Sequence, residues 1–120
     1  MRLPAFLIVL LILTIASGGY AGDLKNEILK DGAALQRLCA AKSGTEDDLY
    51  CFMYISGVYS GIRRLYEGTS EPPPFCVPQT TTLEAVVEQV RRHLGGHPEL
   101  QHKDPYVLFD AALKEAFPCP

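Results

Sequence analysis

The sequence predicts an all-α protein: a small, disulfide-stapled bundle of four to five helices. Apolar residues recur at three- and four-residue steps in several segments, as they do along one face of a helix. No segment alternates convincingly between apolar and polar residues, the pattern that would indicate a β-strand. An even number of cysteines in a small exported chain favours two disulfides, and the four cysteines are Cys39, Cys51, Cys76 and Cys119.

The first 21 residues are predicted to be a secretory signal peptide. Arg2 and the amino terminus supply positive charge, residues 5–16 are an almost unbroken apolar run, and small residues precede a cleavage site after Ala21. A run of about a dozen apolar residues is shorter than the roughly 20 that span a bilayer, so an uncleaved anchor is the less favoured alternative. Residues 22–120 then form a single exported domain with no stable membrane insertion.

A helix over residues 33–42 is expected after an interruption at Asp31-Gly32. The central helix is expected to begin after Thr45 as N-cap and to extend to about residue 67. It contains Gly57 and Gly61, and each glycine costs about 1 kcal/mol relative to alanine inside a helix. That cost predicts a close approach of another helix at these two glycines.

Three consecutive prolines make residues 70–75 a stiff, extended crossover. Thr81 and Glu84 then form a predicted capping box that opens the third helix, which Gly95-Gly96 ends. The fourth helix begins at Asp104-Pro105. It is apolar around most of its circumference, which predicts a place at the bundle centre or at a subunit interface.

Helix order predicts how the cysteines pair. Cys39 ends the first helix and Cys51 lies in the first turns of the next, so a short antiparallel hairpin brings them together. Cys76 precedes the third helix and Cys119 follows the fourth, and antiparallel packing puts those ends side by side. We favour Cys39–Cys51 and Cys76–Cys119, with Cys39–Cys119 and Cys51–Cys76 as the open alternative.

Composition and motifs argue against several functions. The chain has 11 Lys and Arg against 14 Asp and Glu, an acidic balance that disfavours nucleic acid and anionic membranes as partners. It contains no G-x-S-x-G, H-E-x-x-H or phosphate-binding loop, so neither enzyme activity nor a cofactor is expected.

No metal site is predicted, because the cysteines form no C-x-x-C pair. His93 and His97 have the four-residue spacing that would align them on a helix. Gly95 and Gly96 are expected to break that helix, so both histidines are interpreted as loop and surface residues.

Five short motifs follow one another between about Leu38 and Cys119: Cys51-x-x-Tyr54-Ile55-x-Gly57-Val58, Phe75-Cys76-Val77-Pro78, Thr82-Leu83, His97-Pro98-Glu99-Leu100, and Ala112-Leu113-x-x-Ala116-Phe117-Pro118-Cys119. In this order they resemble the Rap/Tai family of type VI secretion immunity proteins. The resemblance implies a helical periplasmic protein, usually a homodimer, that neutralises a peptidoglycan amidase toxin by plugging its active-site groove with a protruding loop.

Two irregular segments are candidates for the inhibitory loop, residues 67–75 and residues 95–104. The second offers more polar groups to pair with the catalytic residues of an amidase. Its candidate partner-binding residues are His97, Glu99, Gln101, His102 and Lys103. The rival hypothesis is a periplasmic acid-stress chaperone, which would loosen and expose apolar surface in acid, whereas an inhibitor would stay folded.

Overall fold

The computed structural model describes residues 30–120, and in this part of the chain every regular element is helical. The predicted all-α bundle is therefore confirmed. The predicted signal peptide, residues 1–21, lies outside the described residues. The elements are α1 (Gly32–Cys39), α2 (Glu46–Tyr66), α3 (Leu83–Gly96), a single 3-10 turn (Pro98–Leu100) and α4 (Pro105–Ala116).

Side-chain caps fix where the longer helices begin. Thr45 accepts a hydrogen bond from the Asp48 N–H at 3.3 Å, as expected for the N-cap of α2. The predicted capping box of Thr81 and Glu84 is wrong by one residue. Thr82 is the N-cap of α3, and the residue three positions later is an alanine, which has no side chain to reach back.

The start of α1 also differs from the sequence prediction. Asp31 does not interrupt a helix but caps one, accepting from the Ala34 N–H at 2.9 Å. Gly32 is the first helical residue, and α1 ends at Cys39 rather than at residue 42. The turn that follows includes Gly44, whose φ of +84° is the left-handed conformation that glycine adopts without strain.

The core lies where all four helices meet the crossover. Phe109 of α4 is fully buried, and Phe75 of the crossover packs edge-on against it with ring centroids 6.1 Å apart. Tyr106 and Val107 at the start of α4 are about half exposed, so the helix is buried on one side rather than all round. The largest fully buried side chains are Phe109, Leu35, Ile55, Leu108, Leu113, Val86 and Val90.

Both favoured disulfides are present, which excludes the alternative pairing. Cys39–Cys51 joins the end of α1 to the second turn of α2 and is buried. Cys76–Cys119 joins the crossover to the residues after α4, next to a hydrogen bond from the Cys76 N–H to the Phe117 carbonyl at 2.8 Å.

The predicted close helix contact at Gly57 and Gly61 is wrong within the described residues. A Cβ atom added at either glycine would meet no atom of this part of the chain within 4 Å. The two glycines face outward because the buried face of α2 carries Cys51 and Ile55 instead.

None of the helices in residues 30–120 combines the length and the apolar character that a membrane span needs.

Candidate functional site

The segment after α3 is held in place mainly through its backbone. Gly32 and Ala33, at the start of α1, donate their N–H groups to the carbonyls of Lys103 at 2.7 Å and Gln101 at 2.8 Å. The Gln36 side chain donates to the His97 carbonyl at 2.8 Å. We call residues 97–103 the α3–α4 loop. Since one helix fixes its two ends, the loop has a defined backbone conformation.

The side chains of this loop point outward while its backbone is anchored. Glu99, Gln101, His102 and Lys103 are exposed, and His97 is partly buried. Leu100 packs against the hydrophobic core and supplies an apolar anchor. All five candidate partner-binding residues therefore belong to one braced loop, with four of them free to meet a partner.

The loop carries a charged group at its centre. The His97 Nδ1 atom lies 3.0 Å from the Glu99 carboxylate. The Glu99 backbone N–H, followed by the His97 ring, lowers the pKa of the Glu99 carboxyl below its usual value. Glu99 is thus an anion at neutral pH.

The loop begins beside a cluster that the sequence analysis did not predict. α3 ends at Gly96, as predicted, but both Gly95 and Gly96 are still helical and neither has a positive φ, so the expectation that they separate the two histidines is wrong. The His93 and His97 rings consequently lie against each other, with centroids 4.3 Å apart. The four-residue spacing of the two histidines indicates that they share one helix face, but the expected helix break led to their interpretation as separate surface residues.

His93 is not a surface residue. Only 9% of its side chain is exposed, and its Nδ1 atom lies 2.9 Å from a carboxylate oxygen of Glu115 on α4. That contact has the length of an ion pair but not the alignment of a hydrogen bond, so both ring nitrogens of His93 are buried without a hydrogen-bond partner.

A second outward-facing feature lies on α2. Leu49, Met53 and Leu65 are 54%, 59% and 69% exposed. They continue, at four-residue spacing, the row that contains Gly57 and Gly61. We call these five residues the α2 row. It is an apolar ridge with a gap where the two glycines lie.

Arg91 fastens α3 to the corner between α1 and α2. Its guanidinium forms an ion pair with the Asp48 carboxylate and reaches the carbonyls of Cys39 and Asp48 at 3.4 and 3.3 Å. The pKa of Asp48 is lowered, first by a hydrogen bond from the Gly44 N–H and then by Arg91. The contact braces the end of the bundle next to the buried disulfide.

Comparison with known proteins identifies one family. Residues 31–119 match the family model of the Rap1a immunity proteins. No curated protein and no solved structure gives a significant match. Proteins of this family are toxin inhibitors rather than enzymes and bind a toxin effector as their partner. The two disulfides fit an oxidising compartment. Because the match spans most of the sequence, this chain belongs to the Rap1a immunity protein family.

Proposed function

We propose that this protein is a periplasmic immunity protein that binds and sterically blocks a peptidoglycan amidase toxin delivered by type VI secretion. The observation that carries the proposal is the family match over residues 31–119. Export through cleavage of residues 1–21 would place the inhibitor in the compartment where such a toxin attacks the cell wall. The two disulfides support that location, because they form readily in the periplasm.

The α3–α4 loop is the inhibitory element in this proposal. Its backbone is already held by Gly32, Ala33 and Gln36, so little conformational entropy remains to be lost when a partner binds. A preorganised loop on rigid helices can enter a groove without remodelling the bundle.

The polar side chains of the loop would then make the specific contacts. Glu99 and Lys103 offer opposite charges, and Gln101 and His102 offer hydrogen-bond donors and acceptors. Such groups can pair with the polar catalytic residues that line an amidase groove. Inhibition would follow from occlusion of the groove, and it requires no chemical step by this protein.

The experiment that tests this function is inhibition of a purified amidase. A purified amidase effector of type VI secretion is incubated with peptidoglycan, with and without the purified protein. We expect peptide release to fall with a one-to-one end point. Undiminished hydrolysis in the presence of excess folded inhibitor would contradict the proposal.

The α2 row supports the homodimer that the family resemblance implies. A two-fold axis that passes beside Gly57 and runs perpendicular to α2 makes the two copies of this helix antiparallel, so Met53 of one protomer faces Gly61 of its partner. The long side chain would fill the gap left by the glycine. A contact of this kind is isologous, as most homodimer interfaces are, and rows at four-residue spacing pack together at about −50° in helix pairs.

A further inference from the structure

We infer that His93, His97 and Glu115 form a binding site for a divalent transition-metal ion of the zinc class. One ligand atom from each residue lies within 4.8 Å of the corresponding atoms of the other two. Ligand atoms on one tetrahedral zinc ion are about 3.4 Å apart, given metal–ligand bonds of about 2.0–2.1 Å. Small side-chain rotations therefore suffice to bring the three groups onto one ion.

The state of His93 is the strongest indication of a ligand. Only 9% of its side chain is exposed, so 91% is buried, and neither of its ring nitrogens makes a hydrogen bond. A buried polar atom without a partner costs free energy, and such atoms are uncommon in folded proteins. A metal ion bound by a ring nitrogen would satisfy the imidazole, and the Glu115 carboxylate is already 2.9 Å from Nδ1.

The neighbouring groups have the roles that a metal site needs. His97 uses its Nδ1 atom to contact Glu99 at 3.0 Å, which leaves its Nε2 atom available to bind the ion. A carboxylate on the far nitrogen of a metal-binding histidine orients the ring and makes it a stronger ligand. Glu99 would therefore be a positioning residue and not a ligand.

The donor set selects the class of metal. Two imidazoles and one carboxylate suit Zn²⁺ and its neighbours Co²⁺, Ni²⁺ and Cu²⁺, whereas Mg²⁺ and Ca²⁺ prefer a shell of oxygen atoms. Three protein ligands leave the remaining coordination position to water. The three ligands line a surface depression that also contains Arg92. Because Arg92 would repel a metal cation, binding of the ion depends on the negative charge of Glu115.

Bound metal would tie together the end of α3, the start of the α3–α4 loop and the last turn of α4. These segments are otherwise joined here by the contact between the tilted rings of His93 and His97 and by the contact between His93 and Glu115. His93, His97 and Glu115 would bind the ion even if the α3–α4 loop had no role in toxin binding.

Calorimetric titration of Zn²⁺ into the purified protein tests the site. The protein should carry no polyhistidine tag and should be stripped with a chelator, and Mg²⁺ serves as the comparison ion. We expect one Zn²⁺ per chain and no measurable Mg²⁺ binding. Co²⁺ should give the visible absorption bands of a low-coordinate site with nitrogen and oxygen ligands.

Variants locate the ion. Loss of a residue that contacts a metal ligand typically weakens metal binding about 10–100-fold, so Glu99→Gln should lower the Zn²⁺ affinity by a factor in that range. His97→Gln and Glu115→Ala each remove a ligand and should lower the affinity by more. His102→Gln is the matched control, since His102 belongs to the same loop but not to the cluster, and its affinity should be unchanged. Zn²⁺ binding that is absent, or that survives both His97→Gln and Glu115→Ala, would overturn the inference. Glu115 is largely exposed, so its variant remains informative even if substitution of the buried His93 prevents folding.

Discussion

The backbone N–H of Gly32 donates a 2.7 Å hydrogen bond to the carbonyl of Lys103, which joins the first residue of α1 to the last residue of the α3–α4 loop. The approach is so close that no side chain fits. A Cβ atom on Gly32 would lie 2.9 Å from the Lys103 oxygen and 2.6 Å from Leu108 Cδ1. Glycine at this position therefore lets the loop dock on α1.

We expect Gly32→Ala to lower the free energy of unfolding by about 1–3 kcal/mol, the usual cost of overpacking a tight contact. The Lys103 carbonyl is backbone and cannot move aside as a flexible side chain would. Urea denaturation followed by circular dichroism measures the change. Gly95→Ala is the matched control, because it lies in α3 with open space around it and should be no less stable than the wild type. Equal stability of all three proteins would contradict this account of the docking contact.

This glycine shows where the sequence analysis failed. The cost of a glycine inside a helix predicts a close approach at Gly57 and Gly61, in the middle of a long helix. The structure has the close approach at Gly32, which the sequence analysis interpreted as a helix breaker. The local sequence gives the free-energy cost of a glycine in a helix. It does not show which residues lie against that glycine, because tertiary packing determines them.

The outward-facing Gly57 allows a test of the homodimer. Gly57→Leu should leave the isolated bundle at least as stable, because leucine is the better helix former and the space is open within the described chain. It should nevertheless block the dimer, since the added side chain would lie on the proposed two-fold axis. Sedimentation equilibrium gives the association state.

The control for that test is Val107→Glu, which changes an exposed apolar side chain on a different helix and should leave association unaffected. Met53→Glu should weaken the dimer as Gly57→Leu does. A wild-type protein that remains monomeric at all concentrations, or a Gly57→Leu variant that still dimerises, would show that the α2 row is not the interface.

The two disulfides should differ in how readily they are reduced in the folded protein. Cys51 is fully buried and Cys39 nearly so, whereas Cys119 is exposed. Because the attacking thiolate must reach a sulfur atom, Cys76–Cys119 should open first. Limited reduction, alkylation and peptide mass mapping would reveal the order. Earlier alkylation of Cys39 and Cys51 would mean that α1 and α2 separate more easily than their burial indicates.

The contribution of Asp48 to the free energy of unfolding should be lost only at low pH. Its pKa is lower in the folded than in the unfolded state, so its stabilising contribution is complete above the unfolded pKa of about 3.9 and is lost as the pH falls through the folded value. The difference in unfolding free energy between the wild type and Asp48→Asn should thus be constant from neutral pH to about pH 5, and then shrink.

Denaturant titrations at a series of pH values measure that difference. A gap between the two proteins that persists unchanged into strong acid would show that the Asp48 carboxylate does not contribute as described. The same titrations examine the rival chaperone hypothesis, which expects the wild type to loosen and expose apolar surface under mild acid.

The sequence predicted the helices and the disulfide pairing more completely than the contacts between helices, and the binding role of the α3–α4 loop stays a prediction. Apolar periodicity and cap residues act locally, so α2 and α4 could be placed from their own residues. The cluster of His93, His97 and Glu115 could not, because Glu115 is contributed by a different helix and the expected break at Gly95-Gly96 separated the two histidines. The bracing of the loop by Gly32, likewise, depends on a contact between segments distant in sequence.

The central claim is that the α3–α4 loop binds the toxin, and the dissociation constant for the cognate amidase effector tests it most directly. The loop variant combines Glu99→Ala, Gln101→Ser, His102→Ala and Lys103→Ala, all at exposed side chains. The matched control combines Thr69→Ala, Ser70→Ala and Glu71→Ala in the other irregular segment, also exposed. We predict that the folded loop variant loses at least about 2 kcal/mol of binding free energy, roughly 30-fold in Kd, while the control binds like the wild type. Unchanged affinity in the loop variant would contradict the claim and move the contact to the proline-rich crossover, if the control variant loses binding, or otherwise to a helix face.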